Sequence, residues 1–266
     1  MNSSQEFSKA IRKTTIEMVY RAKASHIGGA LSMTDILAVL YNGVLNINPK
    51  EPKQASRDRF LLSKGHACTS LYATLGLKGF FDVKELENYA TNGSIFLSHS
   101  SHHIPGIEIS AGSLGHALPV SCGLALAAKK KQEAWKTYCL VSDGELNEGS
   151  NWETILLAPQ LKLNNLILIV DYNKIQSFGF VKDIIDIEPL VKKFEAFNWQ
   201  TYEIDGHNHE DLEKTFISCN NKDLRPKVII CHTIKGKGIS FMENKLLWHY
   251  KSPSEQEFAD ALKELG

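Results

Sequence analysis

The stretch Ser142-Asp143-Gly144-Glu145 and, further along the chain, the stretch Asp171-Tyr172-Asn173 contain the residues that decide the fold. Each polar stretch directly follows an apolar run typical of a buried strand, residues 137–141 and residues 166–170. The segment between them is long enough for a helix, which is the usual way to connect parallel strands. Ligands of such sheets bind outside the carboxyl ends of the strands, so the two polar stretches predict a binding site at that edge.

The same two stretches carry oxygen donors that suit a magnesium ion bound to a diphosphate. Asp143 offers a carboxylate, Asn173 an amide oxygen and Ile175 a backbone carbonyl. Mg²⁺ prefers such hard oxygen ligands and often shares them with a phosphate. Gly144 lets the backbone approach a phosphate closely. Two ordinary turns between strands and helices would contain the same residue types, so the spacing alone leaves that alternative open.

The order of the segments predicts an α/β fold, a parallel sheet with helices on both faces. A length of 266 residues allows one large or two small domains. Before Gly112 the expected elements are a helix at 6–23, a helix capped by Ser32 or Thr34 that ends at Leu45, a strand at 57–62, a helix from His66, a helix at 83–89 capped by Asp82, and a long loop at 92–112. After Gly112 they are helix 114–131, strand 137–141, helix 149–160, strand 166–170, helix 187–197, strand 200–204, helix 209–219, strand 227–231 and helix 254–265.

Composition and missing motifs exclude several classes of protein. Thirty basic residues balance thirty acidic ones in this 266-residue chain, which gives no electrostatic reason to bind nucleic acid or an anionic membrane. No apolar run is long enough to span a membrane. Five scattered cysteines without a CxxC pair argue against a zinc site and indicate free thiols in a reducing compartment, the cytoplasm. The absence of GxGxxG after a strand, of GxxxxGK(S/T) and of GxSxG argues against nicotinamide dehydrogenases, P-loop nucleotidases and α/β-hydrolases.

Histidines and two glycine-rich segments add candidate ligand contacts. Gly112-Ser113-Leu114-Gly115 precedes a helix, so its N–H groups could face an anion. Lys235-Gly236-Lys237-Gly238 follows the last strand and is either a phosphate-facing loop or a solvated turn. A single histidine is more often structural than catalytic, and we assign His102 and His103 to the surface. The histidines that lie beside glycines or in the expected loops are His26, His66, His99, His102, His103 and His249.

Over nearly its whole length the chain resembles the N-terminal, thiamine diphosphate-binding part of transketolases, which implies that residues 1–266 form a single diphosphate-binding domain. Five blocks occur in the family's order, which makes the resemblance specific. The blocks are Arg57-Asp58-Arg59-Phe60-Leu61-Leu62-Ser63-Lys64-Gly65-His66-Ala67, then Pro105-Gly106-Ile107-Glu108 leading to Gly112-Ser113-Leu114-Gly115, then Asp143-Gly144-Glu145-Leu146-Asn147-Glu148-Gly149, then Asn173, and finally Thr233-Ile234-Lys235-Gly236-Lys237-Gly238 with Trp248-His249.

The resemblance implies roles for matching residues. Metal ligands would be Asp143, Asn173 and the Ile175 carbonyl. Residues at thiamine diphosphate would be His66, Gly112, Ser113, Leu114, Asp143, Gly144, Glu145, Asn173 and Lys235. Catalytic residues would be His26, His66, His99, Glu148, Lys235 and His249, with Glu148 near a subunit interface. The protein would supply orientation, proton shuttles and electrostatics to the cofactor's chemistry.

The family's pyrimidine-binding domain has no counterpart here, which implies a split enzyme. This chain would then need a partner subunit carrying that domain, and two copies of each chain would assemble. The expected reaction is transfer of a two-carbon ketol unit between sugars or sugar phosphates. Two alternatives stay open: another thiamine diphosphate-dependent acyl or ketol transfer in specialised metabolism, and a non-catalytic subunit that keeps the fold.

Departures from the family pattern fall mainly on the substrate side. The loop histidine is flanked as Ser98-His99-Ser100 instead of by glycine and proline, and residues 89–92 lack the usual arginine. His116 replaces a glutamine, Tyr250 replaces a glycine, and Ser142 replaces the first glycine of the cofactor motif. These changes predict a substrate that differs from the usual pentose phosphates.

Overall fold

Five parallel strands form the centre of the protein, whose structure is a computed structural model that describes residues 3–266. The strands are β1 (Arg59–Leu62), β2 (Thr137–Ser142), β3 (Leu166–Tyr172), β4 (Gln200–Asp205) and β5 (Lys227–His232). Their order in the sheet is β1-β2-β3-β5-β4, and every neighbouring pair is parallel. The predicted parallel sheet is therefore confirmed. Met1 and Asn2, which the predicted single domain includes, lie outside the described residues.

Helices cover both faces of this sheet, as the alternating segments predicted. Successive side chains of a strand point to opposite faces. In β2, Tyr138 and Leu140 belong to one hydrophobic core, and Cys139 and Val141 belong to a second core on the other face. The helices on the first face are α1 (Ser4–Ala22), α3 (Thr34–Val39), α4 (Cys68–Lys78) and α9 (His209–Ser218); those on the second are α5 (Ala117–Lys130), α6 (Gly149–Gln160) and α8 (Leu190–Ala196). The remaining helices are α2 (Ile27–Ser32), α7 (Val181–Ile184) and α10 (Glu255–Leu265).

The helix expected behind a Ser32 or Thr34 cap is the clearest error of the sequence interpretation. The chain becomes helical at Ile27, breaks at Met33, and continues from Thr34. The Ser32 hydroxyl donates to the Gly29 carbonyl at 3.0 Å, and the Thr34 hydroxyl donates to the Ala30 carbonyl at 3.1 Å. Because both hydroxyls act as donors to the preceding turn, neither caps a helix start.

Two other expectations concern the whole chain. Within the part of the chain that the structure describes, no helix has the length and apolar character needed to cross a membrane. All five cysteines are buried free thiols, as expected. Burial raises the pKa of Cys139, which makes that thiol inert.

Candidate active site at the carboxyl edge of the sheet

A cleft opens at the carboxyl edge of the sheet, where β2, β3 and β5 end. It brings together most of the predicted site residues, which come from segments far apart in the chain. Those residues are His26, His66, His99, Gly112, Leu114, Asp143, Gly144, Asn173, Ile175, Lys235 and His249. Residues that the sequence interpretation did not assign to the site also line it: Gly29, Lys64, Ser142, Gln176, Ser177 and Tyr250.

Asp143 occupies the floor of the cleft as a buried carboxylate. Its Oδ1 accepts a hydrogen bond from the Gly144 N–H at 2.7 Å, and its Oδ2 accepts from the Lys174 N–H. No cationic side chain forms an ion pair with it among residues 3–266. Burial, together with the nearby Asp171 carboxylate, raises the pKa of Asp143 to about 6.

The oxygen donors around Asp143 fit a divalent cation. Asn173 and Ile175 are both buried beside it and line the same cleft. A buried carboxylate without a counter-ion is costly, and a bound cation would remove that cost. A carboxylate, an amide and a backbone carbonyl are also the ligand types that Mg²⁺ prefers. A Cβ atom at position 144 would lie only 2.8 Å from the Gln176 side chain. Any residue other than glycine at this position would therefore require Gln176 to move.

Beneath the cleft floor, Lys64 and Asp171 form a fully buried ion pair that the sequence interpretation missed. Asp171 also accepts hydrogen bonds from the hydroxyls of Ser32 and Thr233. Burial alone would raise the pKa of Asp171, but the Lys64 ammonium and the hydroxyl donors hold it below its usual range. Lys64 Nζ donates in addition to the Gly29 carbonyl at 2.7 Å. The only feature of the sequence that could have indicated this ion pair is a charged residue just after each of two strand segments, Lys64 after 57–62 and Asp171 after 166–170.

Four histidines converge in the upper wall of the cleft. The His26 ring centre lies 5.1 Å from those of His66 and His249, and 6.2 Å from that of His99. Desolvation by burial is the largest cause that lowers the pKa of His26 and His66, and it lowers that of His249 to about 3. At neutral pH these three imidazoles are therefore uncharged.

The loop that carries His99 is held by an unusually close backbone contact. A Cβ atom at Gly65 would lie 2.0 Å from the Ala111 carbonyl oxygen, so only glycine fits there. The Ser100 N–H donates to the Gly65 carbonyl at 3.1 Å, and the Tyr72 hydroxyl donates to the His99 carbonyl at 2.7 Å. These contacts place His99 beside the residues that follow β1.

Lys235 connects the Ile175 backbone to the histidines of the upper wall. Its ammonium donates to the Ile175 carbonyl at 3.0 Å and to His249 Nδ1 at 2.9 Å. Burial lowers the pKa of Lys235 to about 8, with Asp143 opposing the shift. Because Nδ1 of His249 accepts this hydrogen bond, the neutral ring carries its proton on Nε2.

Five residues named from the sequence lie outside the cleft wall. Glu145 is buried, and its carboxylate accepts hydrogen bonds from the Ser63 hydroxyl and the Gly115 N–H, so it braces loops instead of facing a ligand. Ser113 is exposed and does not line the cleft. Glu148 is exposed at the start of α6, which leaves its expected interface role open to test. His102 and His103 are exposed in the loop at 92–112, as expected.

A buried polar network anchors the turn that carries Lys235. Asp35 accepts two hydrogen bonds from Arg12, at 2.9 and 2.6 Å, one from His207 Nδ1 at 2.8 Å and one from His209 Nε2 at 3.0 Å. His207 Nε2 accepts from the Ile234 N–H at 2.8 Å. Burial alone would raise the pKa of Asp35, but the hydrogen bonds from His207, His209 and Arg12 hold it well below its usual range.

Replacing Asp35 by asparagine is expected to lower the free energy of unfolding at pH 7 by about 3–5 kcal/mol, because Arg12 is left buried without its counter-ion. The folded-state pKa of Asp35 is depressed, so its stabilisation is complete above the ordinary carboxyl value of about 4 and is lost as the pH falls below it. The difference between wild type and variant should therefore shrink below about pH 4. Urea unfolding between pH 3 and 7 measures it, with the exposed Glu213→Gln on α9 as control. Equal stability of Asp35→Asn and wild type at pH 7 would contradict the assignment.

Comparison with known proteins identifies the chain's relatives. The profile of the "Transketolase, thiamine diphosphate binding domain" family matches residues 3–266. An apulose-4-phosphate transketolase subunit of Phocaeicola vulgatus is 40% identical over 259 residues, covering 97% of this chain and 92% of that protein. The 6-deoxy-6-sulfo-D-fructose transketolase subunit of Clostridium sp. strain MSTE9 is 37% identical over 262 residues, covering 98% and 95%. A crystal structure of transketolase from Campylobacter jejuni superposes with a TM-score of 0.94 at 34% identity, covering 100% of this chain and 43% of that one.

Proposed function

Because this chain belongs to the transketolase family as its thiamine diphosphate-binding domain, we propose that it is the cofactor-binding subunit of a two-chain enzyme. The enzyme transfers a two-carbon ketol unit between sugars or sugar phosphates. The observation that carries the proposal is the cleft itself, in which the buried Asp143 carboxylate and its neighbouring oxygen donors lie next to a group of uncharged histidines.

Residues of the cleft floor hold the cofactor. Asp143, Asn173 and the Ile175 carbonyl bind Mg²⁺, and His66, Gly112, Leu114 and Gly144 contact thiamine diphosphate. When bound, thiamine diphosphate supplies the carbon nucleophile and the electron sink of the reaction. Burial of Asp143, Asn173 and Ile175 supports this assignment, because no cationic side chain of the described residues forms an ion pair with the Asp143 carboxylate and a metal ion would compensate its charge.

The histidines of the upper wall move protons and orient substrate hydroxyls. His26 and His66 are uncharged at neutral pH and can accept a proton from a sugar hydroxyl. His249 presents its Nε2–H as a donor, since Lys235 holds the other ring nitrogen. A donor and several acceptors in one wall suit a reaction in which protons leave and return at neighbouring oxygen atoms.

A second polypeptide completes the enzyme. The chain covers 92% of a relative from Phocaeicola vulgatus that is named as a transketolase subunit, which supports a partner chain, and we propose that this partner carries the pyrimidine-binding domain. Val120 on α5, and Leu156 and Leu157 on α6, are exposed apolar residues, which supports an interface that includes these two helices. We propose two copies of each chain.

The names of the relatives bear on the substrate. One is a transketolase subunit for apulose-4-phosphate and another for 6-deoxy-6-sulfo-D-fructose, neither of which is a common pentose phosphate. We propose that the preferred substrate of this enzyme is likewise a sugar or sugar phosphate other than xylulose 5-phosphate and ribose 5-phosphate. Efficient use of those two compounds by the assembled enzyme would disprove this point.

The five free thiols support a reducing compartment such as the cytoplasm.

Native mass spectrometry of the tagged chain, isolated gently from its own host, tests the proposed assembly. We expect a complex with a second polypeptide and added mass for thiamine diphosphate and Mg²⁺. Ketol transfer should be absent from this chain alone and should appear when the second polypeptide is added. Full activity of the chain alone contradicts the split enzyme, and a complex that never takes up the cofactor favours a non-catalytic subunit.

A further inference from the structure

Tyr250 lies at the mouth of the cleft, directly after His249 in the chain. Its ring packs edge-on against the His249 ring, with centres 4.7 Å apart, and against the His26 ring, with centres 5.9 Å apart. Its backbone N–H donates to the Leu247 carbonyl at 3.2 Å. The ring therefore has a defined position against two of the imidazoles that face the cleft.

The outer part of the Tyr250 side chain remains available to a ligand. The residue is 60% exposed, and across the described residues its hydroxyl has no hydrogen-bond partner. A phenol can both donate and accept a hydrogen bond, and its ring offers an apolar edge beside the hydroxyl. An exposed tyrosine that lines a cleft thus presents steric bulk and a polar group to whatever enters.

We infer that Tyr250 is a specificity-determining residue, which selects short sugar substrates over extended ones and binds an oxygen of the substrate through its hydroxyl. The inference rests on the proposed function. Because the Tyr250 ring contacts both His26 and His249, a substrate bound at these imidazoles also meets this ring. Each additional carbon of an extended chain then competes with the ring for space, whereas a short chain ends before it.

The test uses the complex of this chain with its partner, supplied with one ketose donor and a series of aldehyde acceptors. The series is glycolaldehyde, glyceraldehyde 3-phosphate, erythrose 4-phosphate and ribose 5-phosphate. Tyr250→Gly should raise kcat/KM for ribose 5-phosphate relative to glyceraldehyde 3-phosphate by about tenfold or more, since one methylene of misfit is worth about 10–200-fold. Tyr250→Phe keeps the ring, so it should leave this ratio within about twofold of wild type but raise the KM of the short acceptor several-fold.

Controls separate this inference from the proposed function. Tyr250→Ser is a second truncation and should behave like Tyr250→Gly, and Leu247→Ala removes an exposed neighbour that does not line the cleft and should change nothing. Thiamine diphosphate affinity and the unfolding midpoint should match wild type in every variant. No transfer to glycolaldehyde or glyceraldehyde 3-phosphate by the wild-type complex rejects this inference, whereas a complex that never takes up thiamine diphosphate counts against the proposed function. Transfer by wild type with an acceptor ratio unchanged in both truncations rejects the role of Tyr250 alone.

Discussion

Replacing Asp143 by alanine is expected to abolish Mg²⁺-dependent binding of thiamine diphosphate. The variant loses the one carboxylate among the three proposed metal ligands, and neither the Asn173 amide nor the Ile175 carbonyl carries a charge that could replace it. Loss of outer-sphere partners alone typically weakens metal binding 10–100-fold, so loss of the anionic ligand should weaken it by more than about 100-fold. Calorimetric titration of thiamine diphosphate into wild type and Asp143→Ala, with and without Mg²⁺, measures the change in cofactor affinity.

The matched control for this variant is Asp183→Ala, which removes an exposed carboxylate on α7, outside the cleft. Its cofactor affinity should equal that of wild type. Urea unfolding of the metal-free proteins establishes that Asp143→Ala still folds. A folded Asp143→Ala protein that binds the cofactor within about threefold of wild type would remove Asp143 from the metal site.

Replacing Asp171 by alanine should produce the largest loss of stability among these variants. The side chains of Lys64 and Asp171 are 1% and 0% exposed, so the substitution leaves a buried ammonium without its counter-ion. Removing one partner of a buried ion pair typically costs about 3–5 kcal/mol. The hydroxyls of Ser32 and Thr233 lose their shared acceptor at the same time, so the loss should lie at the upper end of that range.

The double variant Lys64→Met/Asp171→Leu distinguishes the ion pair from general disruption of the core. Replacing both buried charges by apolar side chains of similar size is often neutral, so the double variant should be more stable than Asp171→Ala. Urea unfolding of Lys64→Met, Asp171→Leu and the double variant gives the coupling energy. The exposed pair Lys214–Glu210 is the control, because Glu210→Ala should cause no measurable loss. Additive losses in the buried pair would show that the two charges do not interact.

Much of the fold was predictable because its signals are local. The apolar runs at residues 137–141 and 166–170 are strands buried on both faces, and such strands are recognisable as continuous runs of apolar residues. The helix predicted at 149–160 matches α6 in both bounds. The prediction of a helix cap at Ser32 or Thr34 was wrong. A hydroxyl can accept a hydrogen bond from the N–H of a following turn, or it can donate one to a carbonyl of the preceding turn. Only the surrounding tertiary structure, here including Asp171, decides between these uses.

The sequence by itself determined the parallel sheet, the edge at which the site lies, and the oxygen donors at Asp143 and Asn173, because periodicity and the connection between adjacent strands depend on neighbouring residues. Only the tertiary structure decided which histidines meet. His99 reaches the cleft through the close contact of Gly65 with Ala111, while His102, three residues later in the same loop, is exposed. The ion pair between Lys64 and Asp171 could likewise not be predicted from the sequence. The two residues are distant in the chain and come together only when β1, β2 and β3 align in the sheet.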